Sequence, residues 1–398
     1  MPDTSSSSIA APARQIVILS ISIAIGLGIC RFAYSLVLPD MRDSLGWSYS
    51  AAGFMNTVNA AAYLIGALVA DAFIRRVGAL HAVRIGTLVC VVSLAMSALS
   101  GNFVFFSAAR FLSGLGAAFA MIGGAALAST LAQTRPAKAP FLISLFLIGP
   151  AIGLLVSGLV SPFLLEWLGR GSWWIVWAML AVLSAAMAML LANARIEATL
   201  TGGAQSAAAT IRLPPVLPYL TGYLLFGAGY IAYMTFMIAY VRDRGGGALA
   251  QSAFWSVIAV GALAAPWTWA WLLARSRAGG ASALLVALTA IGAVLPMLGT
   301  SPPVLLLSGL IFGNAFFTVV TSTTAFTRVN YPREAWPKGI ALMTIAFGLG
   351  QIVGPFVTGA ITDATGSLDA ALEVSAATLV LGAICCALQR PLQSTARG

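Results

Sequence analysis

The stretch Gly26-Leu27-Gly28-Ile29-Cys30-Arg31-Phe32-Ala33-Tyr34 sets one guanidinium inside an otherwise apolar run from Ile16 to Leu38. As a helix rising ~1.5 Å per residue, that run is long enough to cross the ~30 Å hydrocarbon core of a bilayer. An arginine there keeps its charge and loses its hydration, so it must find carbonyls, water or an anion. A second arginine, Arg110, lies eight residues from Asn102 at one end of its own run, as Arg31 lies eight from Pro39. If Pro39 and Asn102 share a side of the membrane, the two cations sit at one depth, ~12 Å from that surface. No Asp or Glu falls at that depth.

The remainder of the chain has the same character. Of 398 residues, 60% are hydrophobic and 8% charged, where a soluble globule carries about a quarter charged residues. Twelve apolar runs of about span length follow one another, the first at 15–38 and the last at 370–389. The fold class is therefore all-α and integral to the membrane, with twelve transmembrane helices. The longest polar break, 195–213, contains Gly202-Gly203 and precedes Pro214-Pro215. It reads as a linker between six-helix halves at 15–194 and 214–390. The ends, 1–14 and 391–398, read as tails, the first Ser- and Ala-rich and expected to be disordered. Because the first apolar run is of full span length, it reads as a span and not as a cleavable signal.

A net charge of +10 raises nucleic acid as a partner, but the basic residues are scattered singly through short connections, so none is expected. They act as topology signals. With the N-terminus inside, that side holds Arg14, Arg75, Arg76, Arg84, Arg135, Lys138, Arg195, Arg212, Arg275, Arg277, Arg328, Arg333, Lys338, Arg390 and Arg397, against Arg42, Arg170, Arg242 and Arg244 outside. Fifteen against four predicts both termini in the cytoplasm. Pro39 and Asn102 then both face outward, which meets the equal-depth condition. Cys30, Cys90, Cys385 and Cys386 fall inside apolar runs, so no disulfide framework, metal site or cofactor is expected.

The halves also echo one another. Gly26-Leu27-Gly28 recurs as Gly227-Ala228-Gly229, and Gly149-Pro150 as Gly354-Pro355, in the first and seventh and the fifth and eleventh spans. The two matches together predict an internal duplication.

Between spans two and three stands Gly66-Ala67-Leu68-Val69-Ala70-Asp71-Ala72-Phe73-Ile74-Arg75-Arg76-Val77-Gly78. This resembles the inner-loop signature of the major facilitator superfamily. Arg110-Phe111-Leu112-Ser113-Gly114-Leu115-Gly116-Ala117-Ala118 resembles that superfamily's second motif, and Leu147-Ile148-Gly149-Pro150-Ala151-Ile152-Gly153 its third, with Leu154 where a second glycine is usual. More narrowly, Arg31-Phe32-Ala33-Tyr34, Leu38-Pro39, Leu45-Gly46-Trp47-Ser48-Tyr49 and Asn59 before Tyr63 resemble the bacterial YbfB/YjiJ-type transporters. The resemblance implies two pseudo-symmetric six-helix halves around a central cavity, placement in a bacterial inner membrane, and a monomer carrying a small-molecule substrate.

Asp71 is expected to reach the N-terminus of span eleven, near Pro337, and latch the halves together, with Gly66, Arg75, Arg76 and Gly78 shaping the turn. The bland alternative is a local ion pair with Arg75 or Arg76. Gly149 and Pro150 permit close helix approach and a bend. Arg31 is expected to be the main anion contact, supported by Arg110 and Tyr34, the alternative for Arg31 being to snorkel toward the outer surface and for Arg110 to bind backbone carbonyls of neighbouring helices. Asn56 and Asn59 share a polar face of span two with Tyr63, Tyr223 and Tyr230 lie on an aromatic stripe of span seven, and Asn314 and Gln351 supply neutral hydrogen-bonding groups; each has helix packing as its competing role.

Two buried cations without a buried anion favour a secondary transporter of a small organic anion over an efflux carrier for hydrophobic or drug-like compounds. With one histidine, His81, at a loop edge and no intramembrane carboxylate, an enzyme has nothing to be built from. A non-transporting membrane sensor is the alternative of another class. A coupled proton is expected to travel on the substrate as its acid, or a counter-anion to be exchanged, since no protonatable carboxylate lies at mid-membrane.

Overall fold

The computed structural model describes residues 10–197 and 211–392. Among them, twelve helices are long and apolar enough to cross a membrane: α1 (Ala10–Leu45), α2 (Tyr49–Val77), α3 (Ala79–Leu99), α4 (Phe103–Gln133), α5 (Ala139–Leu168), α6 (Trp173–Asn193), α7 (Pro214–Asp243), α8 (Ala248–Arg275), α9 (Gly280–Leu298), α10 (Pro302–Asn330), α11 (Trp336–Thr365) and α12 (Leu368–Ala387). No strand occurs among the described residues. Each helix falls on one of the twelve apolar runs.

The ends differ from expectation for local reasons. Residues 10–14, read as tail, already belong to α1, while 1–9 lie outside the described residues. The polar turn beyond Pro39 stays helical and stops only at Gly46, whose φ of 67° is the left-handed conformation that ends helices. Asp40, one of those polar residues, is buried and accepts from the backbone N–H groups of Gly171 and Trp173 at the start of α6, 2.9 Å each. Asn102 caps α4 by accepting from Val104 and Phe105 N–H, 3.1 Å each. Of the linker, 198–210 lie outside the described residues, as do 393–398 of the second tail.

Packing inside the halves is set by glycines that let backbones touch. A Cβ on Gly149 or Gly153 of α5 would stand 2.4 and 2.2 Å from the carbonyls of Ser20 and Ala24 in α1. In the second half, a Cβ on Gly350 or Gly354 of α11 would stand 2.0 and 2.2 Å from the carbonyls of Leu224 and Ala228 in α7. The duplication is thus visible as the same contact made twice, with 149 and 153 corresponding to 350 and 354.

Gly354→Val places branched carbons against a backbone carbonyl that cannot yield. It is expected to lower stability by roughly 1–3 kcal/mol or more, read as a fall in apparent melting temperature of the purified protein. Gly280→Ala, with nothing within 4 Å of its new methyl, should leave melting unchanged.

Candidate functional site

A cavity of about 900 Å³ lies between the halves, with walls from α1, α2, α4, α5, α7, α8, α10 and α11. It opens toward the face bearing the α4–α5, α8–α9 and α10–α11 turns, since Ala139, Ala274 and Arg328 stand on its rim. That face carries the basic excess, and is called the basic face below.

Arg31 lines this cavity from the one irregular part of α1. Residues Ala24–Phe32 form a π-helix, a rare widened turn that recurs at functional sites. Gly28 within it packs so closely on α5 that a Cβ would meet the Pro150 carbonyl at 2.7 Å. The small residue at the contact and the widened backbone together pin the segment from which Arg31 projects. The side chain is 5% exposed and its Nε is buried without a hydrogen-bond partner. No described residue forms a hydrogen bond or ion pair with this guanidinium. Its near neighbour is the ring face of Tyr63, 5.6 Å from Cζ. Tyr230 and Gln351 also line the cavity, and Gln351 Nε2 donates to the Tyr230 hydroxyl.

Arg110 is placed differently. It is 2% exposed and does not line the cavity. Nη1 donates to the Cys30 carbonyl and Nη2 to Asn56 Oδ1 at 2.8 Å, while Cζ lies 4.8 Å from the centre of the Tyr34 ring. Tyr34 donates to the Ala52 carbonyl at 2.8 Å, and Asn59 donates to the Arg110 carbonyl at 3.2 Å and to Ser113 Oγ at 2.7 Å. Asn56 also donates to Thr235 of α7 at 2.7 Å, so the network joins the two halves. Tyr223 stacks behind the cavity wall, 4.8 Å from Phe347, and Asn314 links α10 to α8 by donating to the Gly261 carbonyl and accepting from Trp269 Nε1. The structure therefore brings Arg31, Tyr230 and Gln351 together at the cavity and sets Tyr34, Asn56, Asn59, Arg110, Tyr223 and Asn314 in the packing around it. Phe316 and Phe317 of α10 and Phe347 of α11 also line the cavity. Nothing in the sequence spacing marks these rings, because what groups them is the approach of two helices and not a pattern along either one.

The family described as "uncharacterised MFS-type transporter YbfB" matches residues 23–387. The chain belongs to that family. It is a transporter of the major facilitator superfamily, as the motifs led one to expect, and the superfamily's twelve-helix architecture is the one observed. Among solved structures it is similar to the nucleoside transporter NupG, TM-score 0.71 at 15% identity, over 95% of this chain and 99% of that one. It is also similar to a bacterial homologue of the human lysosomal transporter Spinster, in an inward-facing and occupied conformation, TM-score 0.69 at 14% identity, over 95% and 97%. No curated protein sequence matches significantly.

In this MFS transporter the face opposite the basic one is sealed by contacts between the halves. Asp363, at the end of α11, accepts from the N–H groups of Tyr49 and Ser50 at the start of α2, 2.8 Å each, and from the Ser50 hydroxyl. Glu166, at the end of α5, accepts from Ala248 N–H at the start of α8, 3.2 Å. Each half thus lends a carboxylate to a helix N-terminus of the other, where the helix dipole favours negative charge. The two contacts are related by the internal duplication, which pairs α5 with α11. Asp43 of α1 and Arg242 of α7 add an ion pair. On the basic face Asp71 pairs with Arg75 one turn on, both well exposed, which is the local alternative for that residue. Gly66 packs against Ala118 of α4, and Gly78 turns the chain at φ 83°.

Replacing both crossing carboxylates, Asp363→Asn with Glu166→Gln, should weaken the seal by about 1–2 kcal/mol. Spin labels at the exposed Leu99 and Leu298, at the ends of α3 and α9, should then show a new longer-distance population. An unchanged distribution would mean the seal rests elsewhere.

Proposed function

We propose that this MFS transporter carries a small organic anion through the central cavity by alternating access, with the anion held by Arg31. One observation supports the reading above the rest: a guanidinium that is nearly all buried, faces the cavity, and has neither a carboxylate nor a carbonyl for a partner. Burying an ion costs several kcal/mol, and leaving it unpaired forgoes the compensation that Arg110 obtains from Cys30 and Asn56. A carboxylate laid across the planar fork restores two charge-assisted hydrogen bonds. Tyr230 accepts from Gln351 and keeps its own O–H free to donate to the same anion. Arg110 acts as a positioning residue, since it fixes the carbonyl of the residue before Arg31. Asn56 and Asn59 hold Arg110 in turn, and Tyr34 lies under its guanidinium.

The basic face is cytoplasmic on this reading, in a bacterial inner membrane, with both termini inside. The cavity then opens inward and the paired carboxylates close the outer side. Rocking of the halves would part those contacts and bring Asp71 toward the start of α11.

Arg31→Lys keeps the charge without the fork and is expected to weaken carboxylate binding about tenfold. Arg31→Gln should abolish it. A carboxylate-dependent rise in melting temperature reads both variants, and flux into proteoliposomes checks the same order. If Arg31→Gln binds and transports a carboxylate at the wild-type level while folded, the proposal fails. Arg110→Gln should instead lower the melting temperature without ligand. Orientation is separable: in intact cells an impermeant thiol reagent should label Gly299→Cys and spare Gly280→Cys, two positions at opposite ends of α9 with open space around them. The reverse pattern would invert the topology.

A further inference from the structure

The chemistry of the cavity wall around Arg31 narrows the cargo further. Phe226 and Tyr230 of α7 and Phe347 of α11 all line the cavity, and their rings are nearly parallel. Phe226 and Tyr230 lie 5.0 Å apart at 14°, Phe226 and Phe347 5.8 Å apart at 15°, and Tyr230 and Phe347 5.6 Å apart at 7°. Phe316 of α10 extends the set, 5.8 Å from Tyr230 at 25°. Opposite charge is supplied once only at this end of the cavity. Arg110 has both terminal nitrogens engaged and is closed off, and Arg328, on the rim, lies over the Trp336 ring at 5.5 Å.

We propose that the substrate is a flat aromatic monoanion, its single carboxylate on Arg31 and its ring system laid against Phe347, the exposed member of the Phe226, Tyr230 and Phe347 stack. The proposal rests on the anion reading and adds two restrictions to it. The first is aromaticity. Phe347, the one of these rings that is not fully buried, leaves part of its surface to one more offset-stacked ring, with Phe226, Tyr230 and Phe316 packed behind it; aromatic pairs gain from quadrupole alignment what a saturated ring of equal area cannot. The second is charge number. Beside Arg31 a second carboxylate on the cargo would enter apolar wall, since the other cation lining the cavity, Arg328, stands on the rim, and would be left as an unpaired buried charge.

Four probes separate these restrictions in binding to the purified full-length protein by calorimetry: 2-naphthoate, decahydro-2-naphthoate, naphthalene-2,6-dicarboxylate and 2-naphthamide. 2-Naphthoate should bind about two- to tenfold more tightly than its saturated analogue, and at least tenfold more tightly than the dianion or the neutral amide. Phe347→Leu should bring 2-naphthoate and decahydro-2-naphthoate to parity while still binding both, and Phe347→Met provides the same readout should the first variant fold poorly. Equal or tighter binding of the saturated acid would overturn the aromatic restriction and leave the anion reading standing. Equal or tighter binding of the dianion would overturn the single-charge restriction alone. Equal binding of the amide, or binding of none of the four, would overturn the anion reading and this inference together.

Discussion

The constraint on which the site depends is that a guanidinium cannot be neutralised in a membrane protein and must be met by something. Arginine stays protonated where lysine or histidine would shed the proton. Among the described residues two such groups are buried, and they are treated in opposite ways. Arg110 is satisfied internally by the Cys30 carbonyl and by Asn56. Arg31 is left facing the cavity with a buried, unpartnered Nε. The same residue type at a similar depth is thus packing in one helix and an open valence in another.

That difference is made by the backbone around Arg31. The π-helical segment Ala24–Phe32 sits where Gly28 meets the α5 backbone at Pro150 and Gly153. A regular helix at that contact would carry the guanidinium on a different bearing, because a π turn inserts an extra residue and rotates everything after it. Arg110 completes the arrangement from behind by tying the Cys30 carbonyl. The stacked rings Phe226, Tyr230, Phe316 and Phe347 come from the other half, from α7, α10 and α11, and share the cavity with Arg31 of α1.

Fold and site were legible in the sequence to different degrees, for physical reasons. A bilayer demands twenty or so apolar residues per crossing, and that one-dimensional rule found all twelve helices; it placed their ends short by several residues in places, most of all at the polar turn beyond Pro39. The motif around Asp71 and the arginine of the second motif led to the superfamily. Arg31 stood out because a charge in an apolar run has few explanations. What was not legible was which polar residue faces the cavity. Asn56, Asn59 and Asn314 have the right chemistry, yet each closes a helix-to-helix hydrogen bond. Periodicity gives a face of a helix and does not say which neighbour covers it. The crossing carboxylates Asp363 and Glu166 escaped notice for the same reason, since each partners a helix end far away in the sequence.

On the proposed reading, the unpaired charge also bears on how the carrier cycles. To reorient, the halves must close over the cavity. An empty carrier then encloses a naked guanidinium, whereas a loaded one encloses a neutral pair, and the difference is of the order of several kcal/mol. Among the residues lining the cavity no Asp, Glu or His can take or give a proton to relieve it. Loaded reorientation is thereby favoured over empty return, which makes exchange of one anion for another the faster mode. Uptake of labelled 2-naphthoate into proteoliposomes should therefore rise severalfold when the vesicles are preloaded with unlabelled 2-naphthoate. Equal uptake by empty and preloaded vesicles would show that the empty carrier meets no such penalty, and would place a counter-charge for Arg31 within the protein or its water.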